Sequence, residues 1–281
     1  MTRLFAVIGY PIAHSLSPVM HTAALAALRL DACYTAVETP PRFLRPILRA
    51  LVLAGVEGLN VTVPLKERVI PLLDRVDPMA RAVGAVNTIV VRNRRTIGYN
   101  TDGAGFVRAL REPGWRPGPT RAVILGAGGA ARAVAWELAR WPGGELTIAN
   151  RHVGRARRLA AWLSRQRPRV TARATSLDAV RLDGADLLVN ATTVGMRAGE
   201  GMPVRPSALR RGLVVYDLVY HRETALVREA RRRGCVAAGG LSMLLYQGAA
   251  ALQLWLRHAP PLEPMREAVR QAVRTSAAQA A

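Results

Sequence analysis

One lysine stands in this 281-residue chain against 39 arginines. The two cations are not equivalent: a guanidinium stays protonated in a protein, whereas an ammonium gives up its proton when the surroundings favour it. A site that delivers and recovers a proton can use Lys66 and cannot use any of the arginines. The polar residues near it in sequence are of kinds that a hydrophobic core does not select. In Asn60-Val-Thr-Val63, Asn60 and Thr62 share one face of a predicted strand and Val61 and Val63 the other. That polar face leads into Pro64-Leu-Lys66. Asn87 is expected inside an apolar strand, Ala85–Val91, and Asp102 follows a predicted hairpin. Ser15 and Ser17 sit after the first predicted strand. Amides, hydroxyls, a carboxylate and an ammonium suit a pocket for a polyhydroxylated ligand, with Lys66 as proton carrier. Each residue also has a plainer reading: Asp102 as a helix cap, Asn87 as a satisfied core amide, the serines as turn and cap residues, Lys66 as a cation on a solvated helix. All of these must hold together if there is no site.

A second chemical signal lies downstream. Gly126-Ala-Gly-Gly-Ala-Ala131 follows the predicted strand Arg121–Leu125 and precedes a helix. That is the strand–turn–helix setting of a dinucleotide-binding loop. Gly126 permits the tight turn, Gly128 lets the backbone approach a pyrophosphate at the helix N-terminus, and Ala131 takes the small packing position. Loops that bind NAD usually have a carboxylate about 20 residues on, to bond the ribose 2′-hydroxyl. Here the next strand runs into Asn150-Arg151-His152, with Arg155 one helical turn later. Two guanidinium groups suit a 2′-phosphate, so NADPH is favoured over NADH.

The elements that must position these residues alternate between strand and helix, the signature of an α/β protein. Strands are expected at Leu4–Gly9, Cys33–Glu38, Gly58–Val63, Ala85–Val91 and Thr96–Tyr99. Between and after them, helices are expected from Ser17 (as N-cap) to about Arg29, over Arg42–Ala54, from Pro64 through Lys66, and over Ala104–Arg111. The Pro/Gly-rich stretch Glu112–Pro119 marks a connection. Beyond it the pattern restarts, with strands at Arg121–Leu125, Glu145–Ala149, Arg169–Ala174, Asp186–Val189, Leu213–Asp217 and Cys235–Ala237. Helices over Ser242–Arg257 and Glu263–Thr275 close the chain, leaving a tail, Ser276–Ala281, with little to pin it down.

Composition bounds the rest. Half the residues are hydrophobic, enough for a substantial core. The formal net charge is +21. The arginines are spread over the chain, with no basic arm, zinc-finger spacing or aromatic RNA-binding motif, so the charge reads as compositional bias and no nucleic-acid partner is expected. Two distant cysteines, Cys33 and Cys235, show no metal-ligand spacing and fit a reduced, cytoplasmic compartment. No signal peptide, membrane span or metal site is expected.

Several of these segments together resemble the shikimate dehydrogenase family. They are Gly9-Tyr-Pro-Ile-Ala-His-Ser-Leu-Ser-Pro18, Asn60-Val-Thr-Val-Pro-Leu-Lys66, Gly84-Ala-Val-Asn87, Asn100-Thr-Asp-Gly103, Gly126-Ala-Gly-Gly-Ala130, Asn150-Arg151, Asn190-Ala-Thr-Thr-Val-Gly-Met196 and the helix bearing Gln247. The resemblance runs from Val7 to about Pro260. It implies NADPH-dependent reduction of 3-dehydroshikimate to shikimate, in the biosynthesis of aromatic amino acids. It implies that Ser15 and Ser17, assisted by Tyr220, bind the substrate carboxylate. It implies that Asn60, Thr62, Asn87, Asp102 and Gln247 hold the hydroxyls, and that Lys66 is catalytic with Asp102 beside it. For the cofactor it implies Gly126, Ala127, Gly128, Gly129, Ala130, Asn150, Arg151, His152, Arg155, Thr192, Met196, Val219 and Gly240. His152 departs from the family's usual threonine. The fold implied is two α/β domains: a substrate-binding domain of residues 1–102 and 240–281, and a Rossmann-type NADP-binding domain of residues 103–239, hinged near Gly103 and Gly239-Gly240 about a cleft. A homodimer is compatible with this reading. Rival readings are a quinate/shikimate dehydrogenase using NAD, a folate or glutamate-semialdehyde type reductase, and a non-catalytic nucleic-acid binder. The first tends to carry threonine at the position of Ser17 and an acidic residue near Asn150-Arg151; neither occurs here.

Overall fold

The computed structural model describes residues 2–116, 118–197 and 199–279. By contact clustering the chain divides into two compact units, Met1–Gly105 with Leu244–Ala281, and Phe106–Met243.

The first unit opens with Arg3–Gly9 (β1), Ser17–Ala27 (α1), Ala32–Glu38 (β2), Leu44–Leu53 (α2) and Val56–Val61 (β3). Arg75–Val76 (β4), Pro78–Val83 (α3), Thr88–Arg92 (β5), Arg95–Tyr99 (β6) and Asp102–Arg111 (α4) follow. The strands form one sheet in the order β2-β1-β3-β5-β6-β4, parallel among β2, β1 and β3, and antiparallel across β3, β5 and β6. The β5–β6 hairpin turns at Asn93-Arg94, both at positive φ, as a two-residue turn between twisted strands requires. Ile8, Leu59, Leu65, Val86 and Ile89 are fully buried in the core against this sheet.

The second unit holds Arg121–Leu125 (β7), Gly129–Leu138 (α5), Glu145–Ala149 (β8), Val153–Gln166 (α6), Thr171–Thr175 (β9), Leu187–Asn190 (β10), Val214–Asp217 (β11), Ala225–Arg232 (α7) and Val236–Ala238 (β12). Its sheet is wholly parallel, ordered β12-β11-β10-β7-β8-β9, so the direction in which successive strands are added reverses between β7 and β10. That is the dinucleotide-binding strand order, and its ligand crevice lies at the carboxyl ends of strands beside the reversal. Leu241–Leu256 (α8) and Leu262–Gln279 (α9) end the chain, and α9 packs on α1.

Four expectations are corrected, and one helix is added that the sequence did not announce. Lys66 is not helical; residues 66–69 form turns leading to a 3₁₀ turn at Ile70–Leu72. The Lys66 carbonyl accepts from Val86 N at 2.8 Å instead of from residue 70, and Pro71 has no N–H to continue a helix. Asn87 precedes β5 rather than lying within it. Ser17 is the first residue of α1 and not its cap; the cap position is Leu16 and carries no side-chain bond. The helix α3, capped by Asp77 accepting from Met79 N, had no periodicity long enough to announce it. Finally, α9 continues through Gln279, so the tail is helical where described, while Ala280 and Ala281 lie outside the described residues. Pro117, within the expected Glu112–Pro119 connection, also lies outside them.

Candidate active site

In the first unit the candidate residues collect at the carboxyl ends of parallel strands. The segment after β3 returns to β1 through Thr62 N to Ile8 O (2.9 Å) and Tyr10 N to Val63 O (3.0 Å). These bonds set the loop bearing Ser15 and Ser17 next to the turn bearing Thr62 and Lys66. Within that loop, Ser17 N donates to Ser15 Oγ at 3.3 Å.

Lys66 Nζ donates to Asp102 Oδ2 at 2.5 Å, and the two side chains are 13% and 4% exposed. The other carboxylate oxygen, Oδ1, accepts from Asn87 Nδ2 at 2.8 Å. Asp102 therefore opens α4 with its carboxylate committed to Lys66 and Asn87. Asn87 has no freedom to flip its amide: its Oδ1 accepts from Thr101 N at 2.8 Å, which turns Nδ2 towards Asp102. The same Nδ2 is 3.1 Å from Gln247 Oε1 and 2.9 Å from Thr101 Oγ1. Gln247 is oriented in turn by its Nε2, which donates to Leu244 O at 2.9 Å. Gly105 permits α4 to approach α8 this closely, because a Cβ there would lie 2.7 Å from Gln247 N. Asn60, 5% exposed, donates from Nδ2 to Asn87 O at 3.3 Å. The structure thus joins Lys66, Asp102, Asn87, Gln247 and Asn60 in one network; Ser15 and Ser17 stand on the adjoining loop.

In the second unit, Gly126 sits at φ +107°, and a Cβ there would lie 2.6 Å from Ala191 O. It donates to Ala149 O at 2.7 Å, while Ala191 N donates to Leu125 O at 2.7 Å. The loops after β7, β8 and β10 are thereby drawn together. Gly128 caps α5 with no side-chain bond, so no side chain claims the amides of Gly129 and Ala130 through that cap, and a Cβ on Gly128 would meet no protein atom within 4 Å. Ala127 lies in the same turn, and Ala131 is fully buried where α5 packs. Arg151, His152 and Arg155 are exposed beyond β8, held by Asn150 Nδ2 to His152 O at 3.0 Å and Arg155 N to His152 O at 2.8 Å. An uncapped helix N-terminus, an open glycine and two guanidinium groups fit a phosphorylated dinucleotide.

Sequence reasoning missed the support beneath the remaining cofactor candidates. Asn190 Oδ1 accepts from Thr192 Oγ1 at 2.6 Å, and its Nδ2 donates to Val194 O at 3.1 Å and to Asp217 Oδ1 at 2.9 Å. Asp217 also accepts from Val219 N at 3.1 Å and Thr224 Oγ1 at 2.7 Å. Burial pushes the Asp217 carboxyl up, and the bonds from Thr224, Val219 and Asn190 oppose it. This pair shapes the loop to Met196, whose carbonyl contacts His221 Nε2 at 2.7 Å, and the segment through Val219, whose carbonyl accepts from Gly240 N at 2.9 Å. Tyr220 lies in this second unit, with its ring 5.8 Å from that of His221. Tyr34 and His21, behind Asn60, were likewise missed.

Comparison with known proteins bears on both units. The family model described as the shikimate dehydrogenase substrate binding domain matches residues 7–89, and the model of the shikimate 5'-dehydrogenase C-terminal domain matches residues 240–270. A shikimate dehydrogenase (NADP(+)) of Moorella thermoacetica is 48% identical over 280 residues, 98% of this chain and 95% of that protein. A shikimate dehydrogenase solved in complex with NADP+ superposes with a TM-score of 0.90 at 39% identity, covering 97% of this chain and 96% of that one. The Thermus thermophilus enzyme, solved with NADP(H) and shikimate, superposes with a TM-score of 0.85 at 39% identity, covering 96% of this chain and 100% of that one. At such identity over nearly the full length of both proteins, the chain belongs to the shikimate dehydrogenase family.

Proposed function

We propose that this chain reduces 3-dehydroshikimate to shikimate reversibly with NADPH, in the biosynthesis of aromatic amino acids. The observation that carries the reading is the Lys66–Asp102 pair, a proton-bearing ammonium held at 2.5 Å by a buried carboxylate within a network of amides. NADPH, when bound, supplies the hydride that reaches the ketone carbon. Negative charge then develops on the ketone oxygen, and Lys66 Nζ delivers a proton there; in reverse it takes the hydroxyl proton. Asp102 orients the ammonium and shares the hydroxyl. Asn60, Thr62, Asn87 and Gln247 hold the other hydroxyls, and Ser15 and Ser17, with Tyr220, hold the carboxylate. Arg151 and Arg155 bind the 2′-phosphate, with His152 between them. The amides of Gly129 and Ala130, above the turn Gly126-Ala127-Gly128, receive the pyrophosphate. Thr192, Met196, Val219 and Gly240 would hold the nicotinamide end of the cofactor. Residues 1–102 with 240–281 serve as the substrate-binding domain and residues 103–239 as the NADP-binding domain. The free thiols of Cys33 and Cys235 support a reducing cytoplasmic location, and a homodimer is the assembly that sedimentation velocity tests.

The deciding experiment is a spectrophotometric assay of shikimate and of quinate, each with NADP and with NAD. Turnover of shikimate with NADP, at a kcat/KM at least tenfold above every other pairing, is the expected result. Preference for quinate with NAD overturns the reading.

A further inference from the structure

Asn60 is one of the amides set against a substrate hydroxyl, yet its own strand does not fix its orientation. Tyr34, Phe5 and Gly58 are in register across β2, β1 and β3, and Asn60, two residues beyond Gly58, projects from the same face. The missing side chain of Gly58 leaves room for Trp255, whose indole carbons would lie 2.5 Å from a Cβ there. Trp255 is held by its Nε1 donating to Ile89 O at 2.9 Å and rests 5.3 Å from Phe5. Tyr34, 6% exposed, reaches across β1 on this face, and its hydroxyl donates to Asn60 Oδ1 at 2.7 Å.

That bond fixes the orientation of the amide. With Oδ1 engaged by Tyr34, Nδ2 is turned to the Asn87 side, 3.3 Å from Asn87 O and 3.5 Å from Thr88 Oγ1. Tyr34 is itself fixed by His21. The two rings stack at 4.5 Å and 15°, and His21 lies 5.3 Å from Trp255. His21 is fully buried, and among the described residues neither ring nitrogen has a partner in hydrogen-bond geometry. Burial pulls its pKa down to about 3, outweighing a smaller raising effect of the nearby Asn60 amide, so the ring is a neutral plate at physiological pH.

We propose that Tyr34, clamped by the His21 ring, is a positioning residue that locks Asn60 with its NH₂ edge towards the substrate, making Asn60 a hydrogen-bond donor to a substrate hydroxyl oxygen. This rests on the reading of Asn60 as a substrate contact. Neither Tyr34 nor His21 touches the substrate; both act through Asn60, and they contribute to selectivity for a ligand with a hydroxyl oxygen at that point.

The test is a double-mutant cycle over Tyr34→Phe, Asn60→Ala and the pair, read as the Kd of shikimate for the cofactor-free enzyme by calorimetry and as KM against kcat. Tyr34→Phe is expected to weaken shikimate binding about three- to tenfold, the equivalent of one neutral hydrogen bond. In the Asn60→Ala background it should add no further loss. His21→Ala, which removes the plate under Tyr34, should weaken binding with the same dependence on Asn60, and it stands in if Tyr34→Phe does not fold. Wild-type affinity in Tyr34→Phe, or an equal loss with and without Asn60, overturns the proposal. A wild-type chain that binds no shikimate at all overturns the functional reading instead.

Discussion

Replacing His21 by phenylalanine should make the first unit resist acid better than the wild-type chain. The imidazole lies among Tyr34, Trp255 and the segment around Gly248, with its pKa lowered by burial to about 3. In the unfolded chain it titrates near 6.5. The folded value is the lower one, so between the two the unfolded chain takes up a proton that the folded chain refuses. Stability from this group is therefore complete above pH 6.5 and is lost as pH falls from there towards 3. Each pH unit costs about 1.4 kcal/mol, so about 3 kcal/mol is gone by pH 4.5. With a urea slope near 2 kcal/mol per molar, that is a fall in midpoint of about 1–1.5 M. Phenylalanine preserves a flat ring against Tyr34 and has nothing to protonate. Urea unfolding of both chains at pH 7.5 and 4.5 isolates the contribution, because the other titrating groups are common to both. Parallel pH dependences would show that His21 is not held neutral by the fold, and the linkage argument fails.

Other expectations follow from the two sites. Lys66→Ala should lose about 10²–10⁴-fold in kcat with little change in KM, the usual contribution of general acid–base help, and near wild-type turnover in Lys66→Arg refutes the proton role. Arg151→Ala should raise the Kd of NADPH on the order of tenfold to a hundredfold and leave that of NADH nearly unchanged, since a charged hydrogen bond is worth about 1.5–3 kcal/mol; equal losses for both cofactors count against 2′-phosphate recognition. Gly126→Ala combines a strained φ of +107° with a contact of 2.6 Å to Ala191 O, so a lower thermal midpoint and weakened NADPH binding are expected together. An unchanged melting curve there means the turn is not as tight as described.

How much of this was legible depended on how local the constraint was. The turn at Gly126 could be read from six residues because its strand, turn and helix are contiguous. The site polars were legible by type but not by setting. Lys66 was expected on a helix because Pro64 resembles a helix start; what prevents the helix is Pro71 and the bond from Val86 N, and that bond comes from a distant segment. Tyr34 and His21 looked like ordinary residues of a strand and a helix, and gain their roles only through the register of β2, β1 and β3. Asn190 and Asp217, 27 positions apart, meet only because β10 and β11 pair. The compact units part at Gly105/Phe106 and Met243/Leu244, inside α4 and α8, where no local turn signal in the sequence marks a border.

The abundance of arginine sharpens the meaning of the single lysine. Elsewhere carboxylates are held by guanidinium groups near solvent: Glu57 by Arg3, both side chains 31% exposed, and Glu229 by Arg232 and Arg233, with Arg232 70% exposed. Exposed pairs of that kind contribute little to stability, so the identity of the cation there is weakly constrained. The Lys66–Asp102 pair is different, being almost withdrawn from water. Burying such a pair costs desolvation that its attraction does not reliably repay, so stability is a poor reason to keep it. Nor would stability alone require lysine, because a guanidinium offers a carboxylate two parallel bonds where an ammonium offers one point charge. What arginine cannot do in that position is part with a proton. In a chain that uses arginine at every other basic position, the buried lysine beside Asp102 is what the proposed proton transfer requires, and the structural roles that arginine fills elsewhere do not call for it.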